Sequence, residues 1–196
     1  MSIVKDAVVA IAAAFGAVFA GMGLKAWKRQ LTGKTDYELA RGILRRALEV
    51  RRAIEEARDP SITGGEIEAA KEHLKTEGIA DQRAAGTVAA YNVRYGKVVT
   101  AWFQLYEKMI EAEVSWGVSV KAAKDPLEAC VKELRHAIWS HNDMITGRRR
   151  NPTPDQMQKA DDVVYSLKDE DRDGFARKVN EAVKVIEDLV RPHIKP

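Results

Sequence analysis

The sequence predicts an all-α protein: an apolar N-terminal helix followed by a bundle of five or six helices. Three observations carry this. Ala7 to Leu24 is an uninterrupted run of eighteen uncharged residues. Apolar residues in the remaining chain recur at helical spacing, and no stretch alternates convincingly as a strand does. Pro, Gly and capping residues punctuate these periodic stretches at short intervals, as turns between packed helices require.

The apolar run has the length of a membrane-crossing helix, since about 20 residues at 1.5 Å rise span the hydrocarbon core. Its hydrophobicity rests on residues such as Val8, Ile11, Phe15, Val18, Phe19 and Leu24, diluted by seven alanines and three glycines. Lys5 is offset by Asp6 on the amino side, whereas Lys25, Lys28 and Arg29 crowd the carboxyl side. Positive charge is retained on the cytoplasmic side, so the expectation is an anchor over 1–31, with the N-terminus outside and residues 32–196 forming a cytoplasmic helical domain. Trp27 suits the headgroup layer. Cleavage as a signal peptide is disfavoured by the positive charges directly after any small-residue site. A buried or interfacial helix is the other competing reading. Ala13, Ala17 and Gly21 recur every fourth position, a spacing that lets two membrane helices approach.

In the body, Thr35 and Glu38 have the spacing of a capping box, which predicts a helix from there to Arg58. Leu39, Ile43, Ala47, Val50 and Ile54 form its stripe, and Asp59-Pro60 stops it. Thr63-Gly64-Gly65 precedes a short helix, Glu66 to Thr76, closed by Gly78. A long helix follows from Asp81 to Trp116. Val88, Tyr95, Trp102, Met109 and Trp116 lie seven apart, with Tyr91, Val98, Leu105 and Ala112 filling the second position of a coiled-coil-like stripe. Aromatics this large favour a bundle core over a narrow two-stranded seam. Asp125-Pro126 predicts the next helix start and Gly147 its end, with Leu127, Val131, Leu134, Ile138 and Ile145 as its stripe. Thr153, Pro154 and Gln156 predict a further helix to Lys168, and Phe175, Val179, Val183, Ile186 and Leu189 mark the last.

Composition excludes several classes. The chain is 45% hydrophobic and 31% charged, as ordinary folded chains are, and carries net +3. Charge is uneven: residues 25–59 hold ten Lys and Arg against six Asp and Glu, and residues 151–196 hold eight against ten. Basic near the anchor and acidic far from it suits an anionic cytoplasmic leaflet. A single cysteine, Cys130, excludes an internal disulfide framework.

Four features bear on chemistry. Asp169, Asp171, Asp173 and Gly174 match the opening of a calcium-binding EF-hand loop, but Asn180 stands where a bidentate glutamate is required. Acidic residues at a helix start account for the same letters. Glu133 and His136 share a helical face, as half of a di-iron motif does, with no second copy; His141 falls on the apolar seam. Lys25, Lys28, Arg29, Arg45, Arg46, Arg148, Arg149 and Arg150 are candidates for lipid headgroups or other phosphates, and no aromatic interleaves the triplet as nucleic-acid binding would favour. Cys130 beside Val131 reads as a small core residue. No phosphate loop, nucleophile elbow or Cys-x-x-Cys pair occurs, and the sequence points to no catalytic residue and no cofactor.

Gly33-Lys34-Thr35-Asp36-Tyr37-Glu38-Leu39-Ala40 and Glu111-Ala112-Glu113-Val114-Ser115-Trp116-Gly117, with the helix from Asp125, resemble uncharacterised bacterial proteins built as one amino-terminal membrane helix plus a helical cytoplasmic body. The resemblance carries no active site. The functional expectation is a membrane-anchored module that binds a protein partner or itself, with a membrane-linked enzyme or an anionic-lipid sensor as alternatives.

Overall fold

The computed structural model describes the backbone of residues 2–73, 81–117, 119–148, 151–167 and 172–194; within these, the side chains of 2–18, 20, 26, 29 and 71–73 are not described. Among the described residues six helices follow one another: α1 Ser2–Ala57, α2 Gly64–His73, α3 Gln82–Trp116, α4 Ser119–Ile145, α5 Pro154–Val164 and α6 Gly174–Ile194. The expected all-helical fold is what forms.

α1, α3, α4 and α6 make an up-down-up-down bundle, in which α1 and α4 each pack on both α3 and α6. Cross-links between side chains fix the directions. Asp36 meets Trp116 and Arg46 meets Gln104, so α1 and α3 are antiparallel. At the end where α1 enters, here called the base, the Trp116 indole N–H donates to Asp36 Oδ1 at 3.2 Å and its ring stacks on His193 at 4.0 Å. The opposite, distal end gathers the α1 terminus, α2 and α5; α2 lies on α3 and α5 on α4.

The core follows the predicted stripes. Leu39, Ile43, Ala47, Val50 and Ile54 of α1 are buried against Tyr91, Val98, Leu105, Met109 and Ala112 of α3. Leu127, Val131, Leu134 and Ile138 of α4 and Phe175, Val179, Val183 and Ile186 of α6 complete it. Tyr95, Trp102 and Trp116 are only half-buried, because their large rings sit at the margins between neighbouring helices.

Three boundaries differ from expectation. No helix begins at Thr35: α1 runs unbroken through it for 56 residues, about 84 Å at 1.5 Å per residue. The hydroxyls of Thr32 and Thr35 donate to the carbonyls of Lys28 and Leu31, four residues back, so neither caps, and Glu38 turns to Lys34 instead. The boundary expected between residues 31 and 32 therefore falls inside one continuous helix. α4 begins at Ser119 and not at Asp125, because Val120 and Ala123 are buried and draw the preceding turns into the core. Pro126 then lies within the helix; it and Ala122 are exposed, so the lost hydrogen bond faces water. α5 forms the expected capping box between Thr153 and Gln156 but ends at Val164, short of Lys168. Tyr165 is extended (φ −104°, ψ 133°), held so by Arg58.

Among the described residues no helix is long and apolar enough to cross a membrane. Most side chains of the expected span, Ala7 to Leu24, lie outside the described set. Of those described there, Phe19, Met22 and Leu24 are exposed, as are Trp27 and Leu31 beyond the span, where α1 leaves the bundle.

The distal end is joined by Arg58, only 2% exposed. Its guanidinium holds both carboxylate oxygens of Asp173 at 2.9 and 3.0 Å and donates to the carbonyls of Val163, Asp162 and Tyr165 at 2.7, 3.2 and 2.8 Å. The ring of Phe175 lies beneath at 4.9 Å. Breaking a buried pair leaves a charge without compensation, so Arg58→Met should cost about 3–5 kcal/mol of stability. Urea unfolding followed by circular dichroism checks this; a loss below about 1 kcal/mol, the range of exposed pairs, contradicts the assigned role.

Candidate functional site

The densest polar structure outside the core is this distal end, and it is built by three elements meeting. α1 ends at Ala57 because Asp59-Pro60 cannot continue it, which leaves Arg58 just beyond the last turn, facing inward. Asp173 precedes α6 and accepts from the N–H groups of Ala176 at 2.8 Å and Leu167 at 3.1 Å. Burial acts to raise its pKa; Arg58 and these two N–H groups outweigh that and hold it below the ordinary carboxylate value.

A second arginine repeats the device. Arg94 of α3 grips Glu66 of α2 in a two-pronged pair, with one contact at 2.8 Å, and donates to the carbonyls of Asp59 and Ser61. The hydrogen bond to Glu66 raises the arginine's pKa, and the Glu66 carboxyl is correspondingly lowered. Arg94 thereby ties α2 and the α1–α2 turn to α3.

The third station surrounds His141. Its Nδ1 lies 3.3 Å from Asp161 Oδ1 and its Nε2 3.2 Å from the Tyr165 hydroxyl, while the rings of Tyr91 and Tyr165 meet it edge-on. Burial lowers the His141 pKa, opposed by Asp161. Tyr91 is pushed well above the ordinary phenol value by burial and by the Tyr165 hydroxyl. An Asp–His–Tyr chain can relay a proton, yet its two ends are a half-buried carboxylate and a half-buried phenol rather than a nucleophile. The arrangement docks α5 on α4.

A cleft of about 310 Å³ opens between α4, α5 and α6 and is lined by Glu133, Asp162, Val163, Leu167, Phe175 and Lys178, among others. Two of its charges, Glu133 and Lys178, pair with each other. None of the His141 station's residues lines it. Cys130 is fully buried, and burial pushes its thiol up to about 11, away from thiolate chemistry.

The sequence-predicted candidates are dispersed. Glu133 faces Lys178, His136 lies exposed against Trp139, and His141 is inside; the three do not converge. Both oxygens of Asp173 are engaged by Arg58, and helix resumes at Gly174, while Asp169 and Asp171 lie outside the described residues. Among the described residues no group of three or more His, Cys, Asp or Glu is placed to hold a metal. Arg45 and Arg46 both turn to Glu49, at 3.7 and 2.6 Å, and Arg46 also to Gln104 at 2.7 Å. Arg148 follows α4 at the distal end, far from Lys25 and Lys28 on α1; Arg149 and Arg150, and the side chain of Arg29, lie outside the described set. Arg58, Arg94 and Tyr165 escaped the sequence reading. The available signal was Arg94, a charge three residues after Tyr91 on a stripe that is otherwise apolar.

Because His141 is held neutral with a pKa below its ordinary 6.5, the unfolded chain binds the extra proton first. Stability should therefore be full above about pH 6.5 and fall as pH drops below it. His141→Gln should flatten this slope in thermal melts taken from pH 7.5 to 5; an unchanged slope would assign the dependence to other groups. Comparison with protein-family models, with curated proteins and with solved structures finds no match to this chain.

Proposed function

We propose that the chain is a single-pass membrane protein whose helical body, residues 32–196, lies in the cytoplasm and binds a protein partner or a second copy. The observation that carries this reading is the course of α1. It leaves the bundle as helix and presents Trp27 and Leu31, 61% and 50% exposed, together with Phe19, Met22 and Leu24. The bundle covers none of them. A water-exposed helix seldom keeps large apolar side chains on several faces, whereas a helix passing from headgroups into lipid requires them. Lys25 and Lys28 are exposed at the same level, where positive charge belongs on the cytoplasmic side.

The body supports binding rather than chemistry. Its buried titratable groups Arg58, Asp173, Arg94 and His141 join helices, and among the described residues no cleft gathers an activated nucleophile with a base. Headgroup contact falls to Lys25, Lys28 and Arg29, since Arg45 and Arg46 are tied to Glu49.

The test is extraction. The full-length protein should remain in the membrane pellet after alkaline carbonate. Ile11→Arg with Phe15→Arg, each costing about 2.5–3.5 kcal/mol at a helix centre, should release it. Release of the unsubstituted chain by carbonate would overturn the proposal.

A further inference from the structure

α3 carries two apolar stripes. One is the core stripe through Val98, Leu105 and Met109; the other, Val99, Phe103, Tyr106 and Ile110, follows the alternating four- and three-residue spacing of a helical seam and continues at Val114. Among the described residues the outer stripe is largely uncovered: Phe103 is 59%, Ile110 48% and Val114 85% exposed, while Tyr106 touches Trp102 and Lys124. It stands in the body of the bundle, between the level of Asp36 and beyond that of Arg46, so lipid bound around α1 below Lys25 does not reach it.

Its two edges differ in charge. Along the edge toward α1 stand Glu107 and Glu111; along the other, contributed by α4, stand Lys121 and Lys124. Lys124 lies 5.5 Å from the Tyr106 ring centroid, which sets the two edges level, with Lys121 about a turn nearer the base. Glu111 is shared with Lys108, and the mostly buried Lys124 with Asp125 and Glu128 of its own helix, which leaves Glu107 and Lys121 as the charges the edges offer; among the described residues these two have neither ion pair nor hydrogen bond.

We propose that this face is a two-fold interface between two copies of the chain, with their α3 helices side by side and parallel. A two-fold axis parallel to α3 lays stripe on stripe and exchanges the edges, so that Glu107 of each copy faces Lys121 of the other. An axis perpendicular to α3 sets acid against acid. The parallel arrangement also brings both α1 helices out at the same end, as two chains anchored in one bilayer require; in this respect the inference rests on the membrane reading. A single stripe is a small interface, and anchoring offsets this by raising the effective concentration of the partner.

The test uses the full-length protein in phosphatidylcholine–phosphatidylglycerol vesicles, with Phe103→Cys, Ile110→Cys or the α6 reference Val185→Cys, each oxidised by copper phenanthroline. Residues 103 and 110 are about 10 Å apart along the helix. In the parallel dimer same-number residues meet along the whole seam, so both variants should cross-link and Val185→Cys should not. In the Phe103→Cys background, Glu107→Lys and Lys121→Glu should each reduce cross-linking at least about threefold, and together restore it, by the same charge logic. Cross-linking at one position alone, at neither, equally at Val185→Cys, or indifferent to the charge exchanges overturns the interface. Vesicle flotation reads the anchor separately. Protein that floats without cross-linking refutes the interface alone; protein that fails to float yet cross-links at both positions keeps the interface and loses the anchor.

Discussion

The distal end of the molecule depends on one side chain. Arg58 stands where α1 has just ended, and its donors reach the last turn of α5, the residue after it, and the cap of α6. Segments separated by more than 100 residues are thereby held at one point. A guanidinium suits this position because it is planar, permanently charged and offers five donors in a fixed fork; an ammonium would satisfy fewer of these acceptors. Its carbonyl takes part as well, accepting the Ser166 N–H at 3.0 Å. Arg94 does the same for α2 and the α1–α2 turn. The bundle is thus apolar along its length and pinned at its far end by two buried arginines.

At the base the chain is organised differently. Trp116 joins α1, α3 and α6 by one hydrogen bond and one ring stack, and from there α1 leaves the bundle alone. Because the helix is continuous, the body is set on a rod and not on a flexible linker. From Leu24 to Leu39 the rod spans about 22 Å. In the proposed reading, that distance keeps the bundle clear of the bilayer and holds the outer face of α3 at a height where a neighbouring copy or partner can meet it.

The helices were legible in the sequence because their apolar positions recur with helical period; nearly all the stripe positions on α1, α3, α4 and α6 are buried or half-buried as read. Signals local to the backbone were reliable where nothing competed, as in the Thr153–Gln156 capping box. They misled where packing or helix continuity won. Thr35 and Glu38 have cap spacing, but a helix already in progress satisfies the hydroxyl from its own carbonyls. Asp125-Pro126 looks like a start, but Val120 and Ala123 are buried when the helix begins earlier. The arginine junctions were not legible, since nothing local to Arg58 announces that residues 162 to 173 will fold over it. The candidate cations were legible as residue types, while their separation between base and distal end follows only from the helix directions.

For the body to be tethered as proposed, α1 must pass from water into lipid near Lys25–Trp27. The direct measurement is a nitroxide scan over residues 10–38 of the full-length protein in vesicles, reading collisional access to oxygen and to a water-soluble nickel chelate. Oxygen access should dominate up to about residue 24 and nickel access beyond about residue 28, with the crossover within about one helical turn of Trp27. Nickel access that stays high along the whole scan, or a scan protected from both reagents over residues 10–24, would contradict a lipid-embedded helix.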